Sequence, residues 1–201
     1  MRHRIFIAIN LPEDIKKTLA DFQKKWQDLP ARWVNPENIH ITLVFVGYVE
    51  DKGLEEIKRA VGEVVKKHPP FSITLNEICY SPYSLRDAER RARLGIAEHR
   101  APRMIWVVGE SSDDFISLKN ELEKELTKIP KIFFKPEKRD VVPHITLARI
   151  KEWEWRRIEP DERPEVKEEI DLTFPVNSIE IMESNLKRGG AEYTILESFN
   201  L

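Results

Sequence analysis

Two of the five histidines in this 201-residue chain open the same tetrapeptide, His-Ile-Thr-Leu, at His40 and at His144. Two histidine contexts agreeing over three further residues is expected by chance in on the order of one in several hundred such chains, so common origin is the better account. The flanks repeat as well. An Ile-rich run, Arg4 to Asn10, lies about as far before His40 as Met104 to Val108 lies before His144. The chain therefore reads as a duplicated strand–helix–strand unit with its boundary near residue 100. The expected architecture is α+β: one unit over 1–201 made of two pseudo-symmetric lobes, with mainly antiparallel sheets, helices on the outer faces and a central open cleft carrying both His-x-Thr segments.

Local patterns supply the elements. Arg4 to Asn10 and Ile39 to Gly47 are rich in Ile, Val, Phe and Thr and read as strands. Pro12 with Glu13 and Asp14 starts a helix, whose Ile15, Leu19, Phe22 and Trp26 recur at helical spacing. A charged helix is expected from about Asp51 to Lys67, then a strand around Phe71 to Cys79. In the second half, Met104 to Val108 and Val141 to Ile150 read as strands around a helix from Asp113 to Lys128. Ser178 to Met182 and Tyr193 to Ser198 add two more strands. Between the halves, 81–103 holds six arginines (Arg86, Arg90, Arg91, Arg93, Arg100 and Arg103) against Asp87, Glu89 and Glu98. It reads either as a solvated insertion, with Leu85 to Leu94 helical in part, or as a basic flap over a nucleic acid backbone.

Composition sets the outer limits. With 41% hydrophobic and 34% charged residues, the chain buries a core and is not disordered. A net charge of -2 provides no global field for nucleic acid, so any phosphate has to be met by a local basic cleft. Cys79 is the only cysteine, which removes intramolecular disulfides and multi-cysteine metal sites. No stretch is long and apolar enough for a membrane span, and a cytoplasmic monomer is expected. The abundance of Lys and Glu leans toward a thermophilic source.

Strand alternation turns the repeat into chemistry. His40 and Thr42 share one face while Ile41 and Leu43 face the core, and His144 and Thr146 sit likewise opposite Ile145 and Leu147. A lone histidine on a strand is usually no more than a solvated polar residue; a repeated His-Thr pair with the same offset is not. Two imidazoles facing each other suit phosphodiester cleavage without a metal. One takes a proton from the attacking group and the other gives one to the leaving oxygen. Threonine hydroxyls can bind the non-bridging phosphoryl oxygens. No metal ligand or cofactor is expected, since neither segment carries a second His or Cys at ligand spacing and no Gly-rich phosphate loop is present.

The two HITL segments, with RIFIAINLP at 4–12, RWVNPENIHITLVFVG at 32–47, PRMIWVVG at 102–109 and VPHITLARI at 142–150, resemble the paired His-x-Thr-x motifs of the 2H phosphoesterase superfamily. The chain is similar in particular to the RNA 2',3'-cyclic phosphodiesterase family, historically called 2'-5' RNA ligases. The resemblance implies opening of 2',3'-cyclic phosphate ends of RNA, such as tRNA fragments, to a 2'-phosphate, with a weak reverse joining to a 5'-hydroxyl. It implies His144 as base and His40 as acid. Further substrate-binding candidates are Arg149, Arg103, Trp33 and Phe45, the aromatics as stacking partners for a base. By strict alternation Arg149 falls on the face opposite His144, and only a bulge or the strand end brings it into the cleft. Alternative readings are a phosphodiesterase for small cyclic or 2'-5' linked nucleotides, and a nucleotide- or RNA-binding module without turnover.

Overall fold

A computed structural model describes residues 1–81, 102–130, 132–136, 141–187 and 190–201. The Arg-rich stretch expected as an insertion or flap lies, from 82 to 101, outside the described residues. The elements run β1 (Arg2–Asn10), α1 (Glu13–Lys25), β2 (Ala31–Trp33), β3 (His40–Glu50), α2 (Asp51–Val65), β4 (Phe71–Ser81), β5 (Met104–Gly109), α3 (Asp113–Thr127), β6 (His144–Ile150), the short α4 (Glu152–Trp155), β7 (Lys167–Val176), β8 (Ser178–Lys187) and β9 (Gly190–Asn200). The fold is α+β, as expected.

The strands form one antiparallel sheet in the order β7-β4-β5-β6-β3-β1-β8-β9, with β2 also on β6. Its middle is thin, because β3 and β6 meet at one residue pair, Ile41 opposite Ile145. On either side the order mirrors: β1 pairs with β3 as β5 pairs with β6. The boundary expected near residue 100 does not divide this sheet. β4, from the first half, pairs with β5, and β8, from the second half, pairs with β1. The first half lends β4 to one side and the second half lends β8 and β9 to the other, so the two sides of the sheet are not the two halves of the chain.

One face is covered by the helices. Ile57, Val61 and Val64 of α2, Phe115, Leu118 and Leu122 of α3, and Leu19 of α1 are all buried with Ile5, Ile7, Ile41, Val107 and Ile145 in a single core. Each such fully buried aliphatic side chain contributes roughly 1.5–3 kcal/mol. Ser112 caps α3, its Oγ accepting from the Phe115 N–H. Helix α1 reaches beyond its own side: Gln23 Nε2 donates to the Leu147 carbonyl on β6, and Lys25 pairs with Glu168 on β7. Among the described residues, the other face is open except for a small cluster of Phe6, Ala8 and Met182 under Tyr193.

β7 has no counterpart among the expected strands. It pairs with β4 and ends the sheet order, with Lys, Glu and Asp on its exposed positions and Pro175 near its end. Charges and proline suit a sheet edge and dilute the apolar signal that marks interior strands.

At the far end of β1, the His3 ring bridges two carboxylates, Nδ1 at 2.7 Å from Glu183 and Nε2 at 2.9 Å from Asp51. Carboxylates only accept, so both nitrogens donate from the imidazolium. The hydrogen bonds to Asp51 and then Glu183 raise the His3 pKa above its usual 6.5. Its contribution is complete below that unfolded-state value and disappears as pH rises through the raised one. His3→Gln should therefore lower Tm by a few °C at pH 5.5 and by less at pH 9. An equal loss at both pH values would disprove the charged clamp.

Candidate active site

The Ile41–Ile145 pair fixes the geometry of the repeat. Directly paired residues on antiparallel strands point to the same face, and a local twofold axis runs between them. Both isoleucines are fully buried on the helix-covered side. His40, Thr42, His144 and Thr146 therefore emerge together on the open side, one His-Thr pair on each side of the axis. All four line a cleft of about 950 Å³.

Both imidazoles are anchored the same way. His40 Nδ1 donates to the Asn38 carbonyl at 2.7 Å, and His144 Nδ1 donates to the Val142 carbonyl at 2.9 Å. A carbonyl only accepts, so each Nδ1 keeps its hydrogen and each Nε2 is the nitrogen that titrates. His40 Nε2 lies 3.0 Å from Thr42 Oγ1. The neutral ring accepts from that hydroxyl, and the protonated ring donates to it.

The ring packing differs. His40 sits between Phe6 and Tyr193, with centroids at 4.9 and 5.2 Å, while His144 stacks on Trp106 at 4.0 Å. Burial pushes the His40 pKa below 6.5, against the opposing pull of the Asn38 carbonyl, and the charges of Lys16 and His144 lower it further.

A bulge resolves the parity of Arg149. On β6, Trp106 pairs with Thr146 and Ile105 with Ala148, which leaves Leu147 as the extra residue. Leu147 and Ala148 are both buried, alternation shifts by one, and Arg149 turns into the cleft. The bulge is held by its own carbonyl, which accepts from Val34 N–H and Gln23 Nε2. β3 carries the matching bulge: Thr42 pairs with Ala8 and Val44 with Ile7, Leu43 is extra, and Phe45 turns into the cleft. Phe45 and Arg149 thus occupy equivalent positions, five residues past His40 and His144.

Other expected residues divide. Phe45 is 52% exposed, with the Arg4 guanidinium 4.8 Å over its ring. Trp33 lines the cleft but is packed partly into the core. Arg103 is not among the described residues lining it. It is exposed, just before β5, and its backbone is tied to Ser81 and Ile150. Sequence reasoning missed Arg4, Phe6, Arg32, Asn38, Lys187 and Tyr193, all of which line the cleft. Arg4 and Phe6 carried a usable signal, because Ile5, Ile7 and Ile9 mark the core face of β1 and leave Arg4, Phe6 and Ala8 for the other. Tyr193 arrives on a hairpin remote in sequence and carried none. Arg4, Arg32 and Arg149, beside the ion pair of Lys187 with Glu192, make the cleft locally basic in a chain of net charge -2.

Residues 9–87 and 105–193 match the LigT-like phosphoesterase family, so the match includes both His-x-Thr segments. The chain belongs to that family. It is 30% identical over 210 residues to a Methanothermobacter thermautotrophicus protein named RNA 2',3'-cyclic phosphodiesterase, with 100% of each chain covered. A Thermotoga maritima protein of the same name is 29% identical over 198 residues, covering 96% of this chain and 92% of the relative. Among solved structures, a Thermus thermophilus protein superposes with a TM-score of 0.75 at 27% identity, covering 98% of this chain and 97% of the other. Escherichia coli LigT, solved with 3'-AMP, shares the fold with a TM-score of 0.73 at 23% identity, covering 100% and 99%. This LigT-like phosphoesterase is thus an enzyme whose expected family resemblance holds over both halves. No described helix is long and apolar enough to cross a membrane.

Proposed function

We propose that this enzyme opens 2',3'-cyclic phosphate ends of RNA to a 2'-phosphate by acid–base catalysis between its two histidines. The observation that carries the reading is the Ile41–Ile145 pair, which sets two His-x-Thr pairs about one axis on a single cleft face. Names of the relatives supply the substrate class. Water attacks phosphorus and gives its proton to His144 Nε2. The bond from phosphorus to O3' breaks, and O3' takes a proton from His40 Nε2. Thr42 and Thr146 hydroxyls donate to the non-bridging oxygens as their charge grows. A 5'-hydroxyl in place of water gives a 2'-5' linkage by the same bond changes.

His40 has its proton affinity depressed in the free protein, which at first opposes its role as acid. The bound phosphate carries a negative charge that favours imidazolium, so substrate restores the proton it is to receive. The test is turnover of an RNA ending in a 2',3'-cyclic phosphate in excess EDTA, with the product identified by phosphorus NMR. A 2'-phosphate is expected. A 3'-phosphate, loss of turnover in EDTA, or binding without turnover would each refute the proposal.

A further inference from the structure

The two histidines are anchored alike but supported differently. His40 Nδ1 donates to the carbonyl of Asn38, two residues before it, and His144 Nδ1 to that of Val142, also two before. Asn38 ends a single 3-10 turn, Pro36–Asn38, and its side chain reaches from there to the β8–β9 hairpin. Its Nδ2 donates to the Ala191 carbonyl at 2.9 Å, across 153 residues of chain. A carbonyl only accepts, so the amide nitrogen, not the amide oxygen, faces Ala191. One residue therefore receives the imidazole through its backbone and grips the hairpin through its side chain.

The same two strands reach His40 from other sides. Asn10 is the direct ladder partner of His40, and its N–H donates to Glu180 Oε2 of β8 at 3.0 Å. Glu180 is 4% exposed, and Ser178 Oγ donates to its other oxygen at 2.7 Å. Tyr193 of β9 packs at a right angle to the His40 ring. Val142, at the equivalent position before His144, has no amide to offer. Its neighbours are held instead by β5 and the residues after it. The Pro143 carbonyl accepts from Gly109 N–H at 2.9 Å, and the Val141 carbonyl from Ser111 Oγ at 2.7 Å. His144 is thus supported by the adjacent strand, and His40 by a hairpin remote in sequence.

We propose that Asn38 is a positioning residue for His40. By tying the anchoring carbonyl to the β8–β9 hairpin, its amide holds the ring with hydrogen on Nδ1 and with Nε2 toward Thr42. This rests on the reading of His40 as the acid and names what keeps that acid in place. The bond made at one ring nitrogen decides which nitrogen carries the proton and how the ring is turned. A carbonyl in a short turn moves with its residue, so the amide tie fixes the acceptor and through it the ring. Precision matters here because a proton is passed only across a hydrogen-bond distance, and a misplacement of about 1 Å can cost on the order of 10²-fold in rate. Asn38 acts through His40 and not on the phosphate.

The test uses Asn38→Ala and Asn38→Leu. Both keep the anchoring backbone carbonyl and remove the amide, and leucine also keeps the bulk. Thermal melts establish that each is folded at the assay temperature. Long-range proton–nitrogen NMR of the free protein then reads the tautomer of each neutral ring. In the wild type both histidines are expected to carry hydrogen on Nδ1. In either variant His40 should become a mixture of tautomers, while His144 in the same spectrum stays as it was.

Turnover supplies the second reading. On a 2',3'-cyclic phosphate end the variants should lose about 10- to 100-fold in kcat. On a diester whose nitrophenolate departs without a proton, most of that loss should be recovered. An unchanged His40 tautomer, or an unchanged kcat on the cyclic phosphate, would overturn the proposal; a lower kcat with the Nδ1 tautomer intact is what general loosening of the fold would give. A tautomer mixture with no recovery on the nitrophenolate substrate would uphold the tie and refute His40 as the acid.

Discussion

Replacing either His40 or His144 with alanine is expected to lower kcat on a 2',3'-cyclic phosphate end by about 10²- to 10⁴-fold, the range for removing a positioned acid or base. Both rings also pack, His40 between Phe6 and Tyr193 and His144 on Trp106. Glutamine variants and thermal melts therefore separate loss of chemistry from loss of fold. The roles themselves are distinguishable. A diester with a nitrophenolate leaving group departs without a proton, so His40→Ala should recover much of its deficit on that substrate while His144→Ala recovers none. The opposite result would exchange acid and base. The pH profile gives an independent reading with a definite sign. Because burial lowers the His40 pKa in the free protein, the limb of kcat/KM that falls as the acid deprotonates should lie below 6.5. In kcat, which reports the bound complex, that limb should move up as the phosphate charge favours the imidazolium. A limb at the same pH in both profiles would contradict the countercharge argument, and near wild-type turnover by either alanine variant would dismiss the mechanism.

Thr42→Val and Thr146→Val should each lower kcat by about 10²- to 10³-fold, the cost of removing one preorganised donor to a developing oxyanion. Valine is the informative substitution. It keeps the branched β-carbon that suits a strand and removes only the hydroxyl. The two threonines are not equivalent before substrate arrives. Thr42 Oγ1 is 3.0 Å from His40 Nε2, whereas Thr146 Oγ1 has Met104 Sδ at 4.0 Å, a far weaker partner. Substrate must therefore draw the Thr42 hydroxyl away from an existing hydrogen bond. The Thr42 variant should in addition change the pH dependence of kcat/KM, because His40 loses its Nε2 partner; the Thr146 variant should not. A rise in KM with kcat untouched would show that the hydroxyls bind substrate and transition state equally, which the proposed role does not allow.

The central strands were legible because their signals are local. Ile-rich runs named β1 and β3, period-2 alternation put His40 with Thr42 and His144 with Thr146, and the repeat implied an axis before any coordinate located it. The rest depended on information that is not local. Leu43 and Leu147 give no sign in sequence that each is an extra residue in its ladder, yet those two bulges decide that Phe45 and Arg149 face the cleft. Arg32 is a surface arginine in the sequence; its place beside the cleft comes from its register against Arg149. Arg103 looked promising by proximity to β5, but it is not among the described residues that line the cleft. The exchange of β4 and β8 was equally hidden, since pattern names a strand but not its neighbour.

The joint at Ile41–Ile145 carries a consequence for how such a site diversifies. Two identical half-chains assembled about the same axis would be an isologous pair, obliged to present the same residue at every equivalent position. Any substitution at one end would be repeated at the other. Tying both copies into one polypeptide removes that constraint. The histidines and threonines keep the symmetry that a single phosphorus between them rewards, while the positions five residues on are free to become phenylalanine in one copy and arginine in the other. Asymmetry between the two ends of the cleft became available only once the two copies were inherited as one chain.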